Sequence, residues 1–332
     1  METQKRTPWR RWIVLVLMIA GFILGGIYVP VQPEITVAAE KLIEEPLTEN
    51  FLGFAGPFYL VNTLPTLFVT VFFILLPLAW FAGRSIKKSA QTDLVPRGVG
   101  NVMEAILEML YNMTEGSAGT KWAKAIFPWF ATIMIYVLVA NLLKLIPGFE
   151  SIGVLHHAHG EGHEITGLGG AWSLLTATKV EEGGYILAPF FRGISVDLNF
   201  TLSLALISFF SIQVMGVRAQ GLGYFSKFFN TKRMFKVPFF GAMDFLVGLL
   251  EIISEFAKIL SFTFRLFGNM FAGVVLVAVV ASLLGKISIL PSMIMMFELF
   301  VGVIQAFVFG MLTMVFMAMA TQGHGDEEHA EH

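Results

Sequence analysis

The residues of this chain that could do chemistry are few, and they stand inside its most apolar stretches. Arg265 lies in Lys258-Ile-Leu-Ser-Phe-Thr-Phe-Arg265-Leu-Phe-Gly-Asn269, with apolar sequence continuing on both sides. A guanidinium keeps its proton. Holding it at mid-membrane costs at least ~2.5–3.5 kcal/mol, so such a residue is a functional hypothesis by default. Glu251, Lys258 and Arg265 are seven residues apart, and Glu255, Phe262 and Asn269 repeat four positions later. Steps of three and four put all six on one helical face. The stripe covers ~27 Å at 1.5 Å per residue. Acids and a fixed cation along one face suit the handling of a travelling cation. Snorkelling to headgroups is the competing reading for Glu251, Glu255 and Lys258; Arg265 is too far from either end for it.

A second constellation lies in the last apolar stretch. Glu298 and Gln305 are also seven apart, and no basic residue occurs in 287–320. A cation for Glu298 must come from another helix, or the buried carboxyl stays neutral and hydrogen-bonded. A carboxylate there is placed for proton exchange. Asp197 and Asn199 open an earlier span, with Ser203 and Gln213 near one face. These polar atoms either line a wet cavity or hold helices together. All seven histidines lie outside the apolar stretches, so none relays protons within them. His156, His157, His159 and His163, and the tail residues His324, His329 and His332, read as solvated tracts rather than a metal site.

The elements that position these residues follow from composition. The chain of 332 residues is 56% hydrophobic and 14% charged, with 33 Phe and 17 Met and mean hydropathy +0.73. This is an all-α polytopic membrane protein. Net charge −2 leaves no nucleic-acid footprint. The absence of cysteine removes disulfides and thiolate metal sites. Six spans are expected: 12–29, 58–81, 125–147, 196–217, a forty-residue region at 241–284, and 292–320. The first is a retained anchor or a signal peptide, since both have a basic start and an apolar run; the anchor is the favoured reading. Residues 99–110 form an amphipathic interfacial helix. The domain division is an N-terminal anchor and linker (1–50), a channel-like body (51–320) and a His- and acid-rich tail (321–332). Within the body, 148–195 is a Gly-rich connection, read either as a folded cap or as a mobile insertion. Basic residues at 82–98 and 218–237 place those loops, and both termini, in the cytoplasm.

Four motifs in order resemble subunit a of the F-type ATP synthases. The strongest is Arg265-Leu-Phe-Gly-Asn-Met-Phe-Ala-Gly273, followed by Glu298-Leu-Phe-Val-Gly-Val-Ile-Gln-Ala-Phe-Val-Phe309. Asn141-Leu-Leu-Lys-Leu-Ile-Pro147 and Asp197-Leu-Asn-Phe-Thr-Leu-Ser203 are weaker matches. The resemblance implies a stationary ion-translocating subunit in a bacterial plasma membrane. Its partners would be a c-ring, b-type peripheral-stalk subunits and lipid, with H⁺ or Na⁺ as the ion. It further implies that Arg265 faces the c-ring carboxylate and Gln305 sits opposite it. Glu298, Asn269, Asp197 and Asn199 would serve an external half-channel, and Glu251, Ser254 and Glu255 a cytoplasmic one. No catalytic centre, cofactor or metal of its own is implied, and no Gly-rich phosphate loop is present. Two positions depart from the pattern: Val274 replaces an acid or histidine of many relatives, and Lys144 stands where some carry an acid.

The competing class is a self-contained transporter or channel, which often shows internal repeats and broken mid-membrane helices; neither is seen here. Counted from the 285–291 connection, Arg265 lies ~30 Å along its helix and Gln305 ~21 Å along the next. For the two to share a depth, the long helix must tilt by ~45° within a steep antiparallel hairpin.

Overall fold

The computed structural model describes residues 37–43, 45–49, 56–91, 98–146, 149–158, 162–169, 172–180, 183–228, 238–284 and 290–322, with Trp12 and Val16 before them. The first expected span and the His-rich tail therefore lie outside the described residues. Among the described residues, five helices are long and apolar enough to cross a membrane. The chain is a mostly helical, multi-pass membrane protein.

The first crossing runs through α1 (Thr63–Phe68), a π-helical stretch (Val69–Leu75) and α2 (Leu76–Gln91) without a break. Pro77 lies just beyond the widened turns, and a proline ring crowds the carbonyl four residues back, here Phe73. The π register gives that carbonyl room. α3 (Val99–Leu143) joins the expected interfacial helix to the next span as one element. It bends at Gly119, whose φ of 71° and ψ of 164° leave the helical region at a position only glycine adopts readily. α4 (Leu198–Gln220) starts at Asp197, whose side chain caps it by accepting from the Asn199 N–H, and ends at Gly221. α5 (Pro238–Leu284) is a single helix of 47 residues, ~70 Å if straight. α6 (Leu290–Thr321) follows with Pro291 in its first turn, where a missing N–H does no harm.

The 148–195 connection is folded. β1 (Gly153–His157), β2 (Gly162–Gly169), β3 (Trp172–Val180) and β4 (Tyr185–Pro189) form an antiparallel sheet in the order β1-β4-β2-β3. Gly162 and Gly184 face each other so closely that a Cβ on either would meet the opposite backbone. The sheet hands over to a buried 3-10 turn at Ile194–Val196, ahead of Asp197.

α3 and α6 lie side by side along the bundle and share both apolar clusters. One holds Phe130, Ile126, Leu110, Met314, Met317 and Met215. The other joins Val137 to Leu204, Phe262, Leu266, Ala306 and Phe309. Lipid supplies no hydrophobic drive between helices, so close approach rests on small residues. Gly310 provides it: a Cβ there would lie 2.9 Å from Met134 Cβ and 3.1 Å from a ring carbon of Phe130. Gly310→Val should therefore push α3 from α6 and lower stability by about 1–3 kcal/mol. Gly116→Ala, where a Cβ meets nothing within 4 Å, should be neutral or stabilising by up to about 1 kcal/mol. Thermal midpoints of the purified protein in detergent compare the two.

Candidate functional site

The polar residues of the bundle fall into three groups along α5. The first sits where α3 and α5 finish and α4 and α6 begin. Lys144, just past α3, places Nζ 3.1 Å from Glu298 Oε2, with side-chain exposures of 4% and 9%. The same ammonium reaches the Met270 carbonyl at 3.4 Å. Asn141, one turn back on α3, donates to the Gly302 carbonyl at 2.9 Å. Gly273 makes room for the carboxylate, since a Cβ there would collide with Glu298 Oε1. That oxygen and Asn141 Oδ1 are buried and accept no hydrogen bond among the described residues.

The second group lies toward the other end of α5. Glu255 is buried and accepts from Lys258 Nζ at 3.1 Å through Oε1 and from Gln213 Nε2 at 3.2 Å through Oε2. Lys258 also stands over the Phe316 ring, 4.9 Å from its centre. The Glu255–Lys258 pair on α5 thus gathers side chains from α4, through Gln213, and from α6, through Phe316. Glu251, one turn earlier, is half-buried, and Ser254 faces outward.

Arg265 lies between the groups: ten residues, ~15 Å, beyond Glu255 and eight residues, ~12 Å, short of Gly273. Its guanidinium donates to Ser261 Oγ at 3.0 Å and meets no carboxylate among the described residues. The register of the α5–α6 hairpin can be read from its contacts. Gly273 meets Glu298, and Phe262 meets Phe309 with ring centres 5.2 Å apart. Eleven residues on α5 are matched by eleven on α6. Arg265, three after Phe262, is therefore level with Ala306, three before Phe309, and Gln305 is the next residue. Leu266 and Ala306 are buried, whereas Arg265 and Gln305 are half-buried.

Asp197 is not drawn to Glu298. It receives the Thr63 hydroxyl at 3.0 Å and the Asn199 N–H at 2.9 Å, tying α1 to the start of α4. Asn199 and Asn269 are exposed. The sequence reading did not place Lys144, Gln213, Lys258 or Gly273 among the site residues. Lys144 and Lys258 carried a signal, being charges within or at the edge of apolar stretches. Gln213 carried one as well, as a polar residue near one face of its span, whereas Gly273 carried none beyond its place at the end of the Arg265 motif.

The sequence profile of the ATP synthase A chain family matches residues 65–318. ATP synthase subunit a of Helicobacter pylori strain P12 is 30% identical over 264 residues, covering 77% of this chain and 92% of the relative. Its counterpart from Helicobacter acinonychis strain Sheeba matches to the same extent.

The hairpin register is open to direct measurement, because the chain contains no cysteine of its own. Phe262→Cys combined with Phe309→Cys should be joined by a short bifunctional thiol reagent. Phe264→Cys with Phe309→Cys should not, since Phe264 is 56% exposed on the outer surface. Joining of the second pair but not the first would contradict the register.

Proposed function

The chain belongs to the ATP synthase A chain family, and on that premise we propose that it is the stationary ion-translocating subunit of a rotary ATP synthase. It provides two offset half-channels to the carboxylates of a c-ring, with Arg265 between them. One observation carries this reading. Along the α5–α6 hairpin and the end of α3 stand Lys144, Lys258 and Arg265, and Lys144 and Lys258 are closed onto carboxylates of the same chain. Arg265, the deepest of the three, meets none among the described residues. A permanent charge at that depth needs an anion from outside the chain, and a ring carboxylate passing the α5–α6 hairpin supplies it.

The mechanism follows from electrostatics. An ion arriving through the external half-channel, around Glu298 and Asn269, neutralises a ring carboxylate. A neutral site rotates through lipid, whereas a charged one does so only at high cost. After nearly a full turn the site meets the cytoplasmic half-channel, around Glu251, Ser254 and Glu255. Arg265 favours the ionised carboxylate there and repels the travelling cation, easing release. Gln305 stands beside Arg265 at the crossing point. The carboxylates of the two groups are ~27 Å apart along α5, so ions cross only when the ring turns. Asp197 and Asn199 shape the external end, Asp197 chiefly by holding α1 and α4 together.

In this assembly the chain contributes no catalytic centre. It lies in a bacterial plasma membrane beside the ring and the b-type stalk subunits, with the 82–98 and 218–237 loops cytoplasmic.

Arg265→Ala should abolish coupled ATP synthesis and open a passive leak in membranes containing the whole synthase. Arg265→Lys should also fail largely, because a compact ammonium does not present a guanidinium fork. Near-normal ATP-driven pumping by the alanine variant would refute the assignment. Glu298→Gln nearly keeps the shape but removes the exchangeable proton, so pumping should fall strongly with assembly intact. Glu298→Asp should retain more. Equal pumping by the Gln and Glu forms across pH would make Glu298 structural.

A further inference from the structure

We propose that Lys144 is a specificity-determining positioning residue of the ion inlet. It occupies, as a resident cation, the oxygens that a metal ion would need, so that the inlet admits protons and rejects Na⁺. This rests on the reading of Glu298 as an inlet group.

The geometry is that of a filled cation site. Lys144 Nζ takes Glu298 Oε2 at 3.1 Å and the Met270 carbonyl at 3.4 Å. A carboxylate and a backbone carbonyl are the donors a hard metal cation takes, and such an ion needs several of them at once. The lysine is held in place along its stem. A Cβ at Gly193 would lie 3.1 Å from Lys144 Cβ and 3.5 Å from its Cδ, so the turn before α4 abuts the chain of methylenes. The other buried acid of this end, Asp197, is engaged by Thr63 and the Asn199 N–H and does not compete for the ammonium.

One acceptor remains. Glu298 Oε1 is buried, lies against Gly273 and takes no hydrogen bond among the described residues. A proton needs a single lone pair and no coordination shell. It can bind Oε1, giving a neutral carboxyl group while Lys144 keeps all three of its protons. When that proton passes to the ring carboxylate, the Lys144–Glu298 pair re-forms unchanged. A metal ion at Oε1 would stand beside an ammonium with too few free oxygens, and like charges repel strongly in a low-dielectric site.

The experiment measures ATP-driven pumping by the whole synthase in membrane vesicles, in sodium and in potassium media. The unmodified chain should pump equally in both. Lys144→Arg, which keeps a cation and charge-assisted donors for the carboxylate, should retain more activity than either neutral variant and show no salt preference. Lys144→Met and Lys144→Gln should each fall about tenfold and lose further activity in sodium relative to potassium. A purely structural lysine would give no such salt preference. Lys144→Gln keeps a donor for the carboxylate and decides the matter if the Met variant does not assemble. The proposal is overturned if the assembled neutral variants pump like the unmodified chain, or are weakened equally in both salts, while Glu298→Gln is inactive. If Glu298→Gln itself pumps normally, the inlet reading has failed instead.

Discussion

The structure turns on the rule that charge inside a membrane must be matched by charge or hydrogen bonds. Removing one partner from a buried pair typically destabilises by ~3–5 kcal/mol, because the other is left without compensation. The bundle obeys the rule twice and suspends it once. Lys144 answers Glu298 across the α3–α6 interface, and Lys258 answers Glu255 along α5 with Gln213 completing the carboxylate from α4. Arg265 is left with a hydroxyl, Ser261. The closed pairs join helices to one another, and Arg265 remains the charge at this depth that no carboxylate of the described residues answers.

Close packing follows from the same demand. An ion pair between helices requires backbones near enough for side chains to meet. Gly302 and Gly310 on α6 bring α3 within reach, and Gly273 on α5 leaves the volume that the Glu298 carboxylate fills. The glycines and the charges are thus one device. The aromatic contacts of Phe262 with Phe309 and Phe316 then fix the sliding register of α5 on α6, which sets Arg265 level with the Gln305 turn.

Much of this was legible in the sequence because membrane helices announce themselves by length and hydropathy. Five of the six expected spans fall on helices, three of them with bounds within a few residues; the first described crossing runs on to Gln91, ten residues past its expected end, and α3 absorbs the interfacial helix that was expected to stand alone. The polar stripe on α5 was legible from spacing alone. The pairing was not. Lys144 and Glu298 are 154 residues apart, and a single sequence does not reveal which distant charges meet. Lys144 consequently read as a departure from a pattern rather than as half of an ion pair. The sheet between 153 and 189 was equally hidden: β1 and β4 are short, β2 carries three glycines, and β2 and β3 slip register at His163–Ile165 and Gly167–Gly169, which blurs any period of two. Asp197 drew attention as a polar residue at a span's edge, and the structure gives it the tasks of helix cap and tie to Thr63.

The choice of cation at each depth has a chemical logic. At 144 and 258 a lysine serves, since a compact ammonium on a flexible stem can meet a carboxylate and a second group at once: the Met270 carbonyl in one case, the Phe316 ring in the other. Each pair is neutral as a whole, which lowers the cost of burying its two charges among apolar helices. At 265 the setting is the opposite: the side chain meets only the Ser261 hydroxyl, and arginine keeps its proton without a carboxylate partner. A lysine at that depth, with no carboxylate beside it, loses part of the stabilisation of its charged form to desolvation. The long reach of α5 separates these roles. It carries Glu255 with Lys258, then Arg265, then Gly273 against Glu298 on one continuous helix, so the distances between them are set by a rigid rise of 1.5 Å per residue and not by the packing of separate elements.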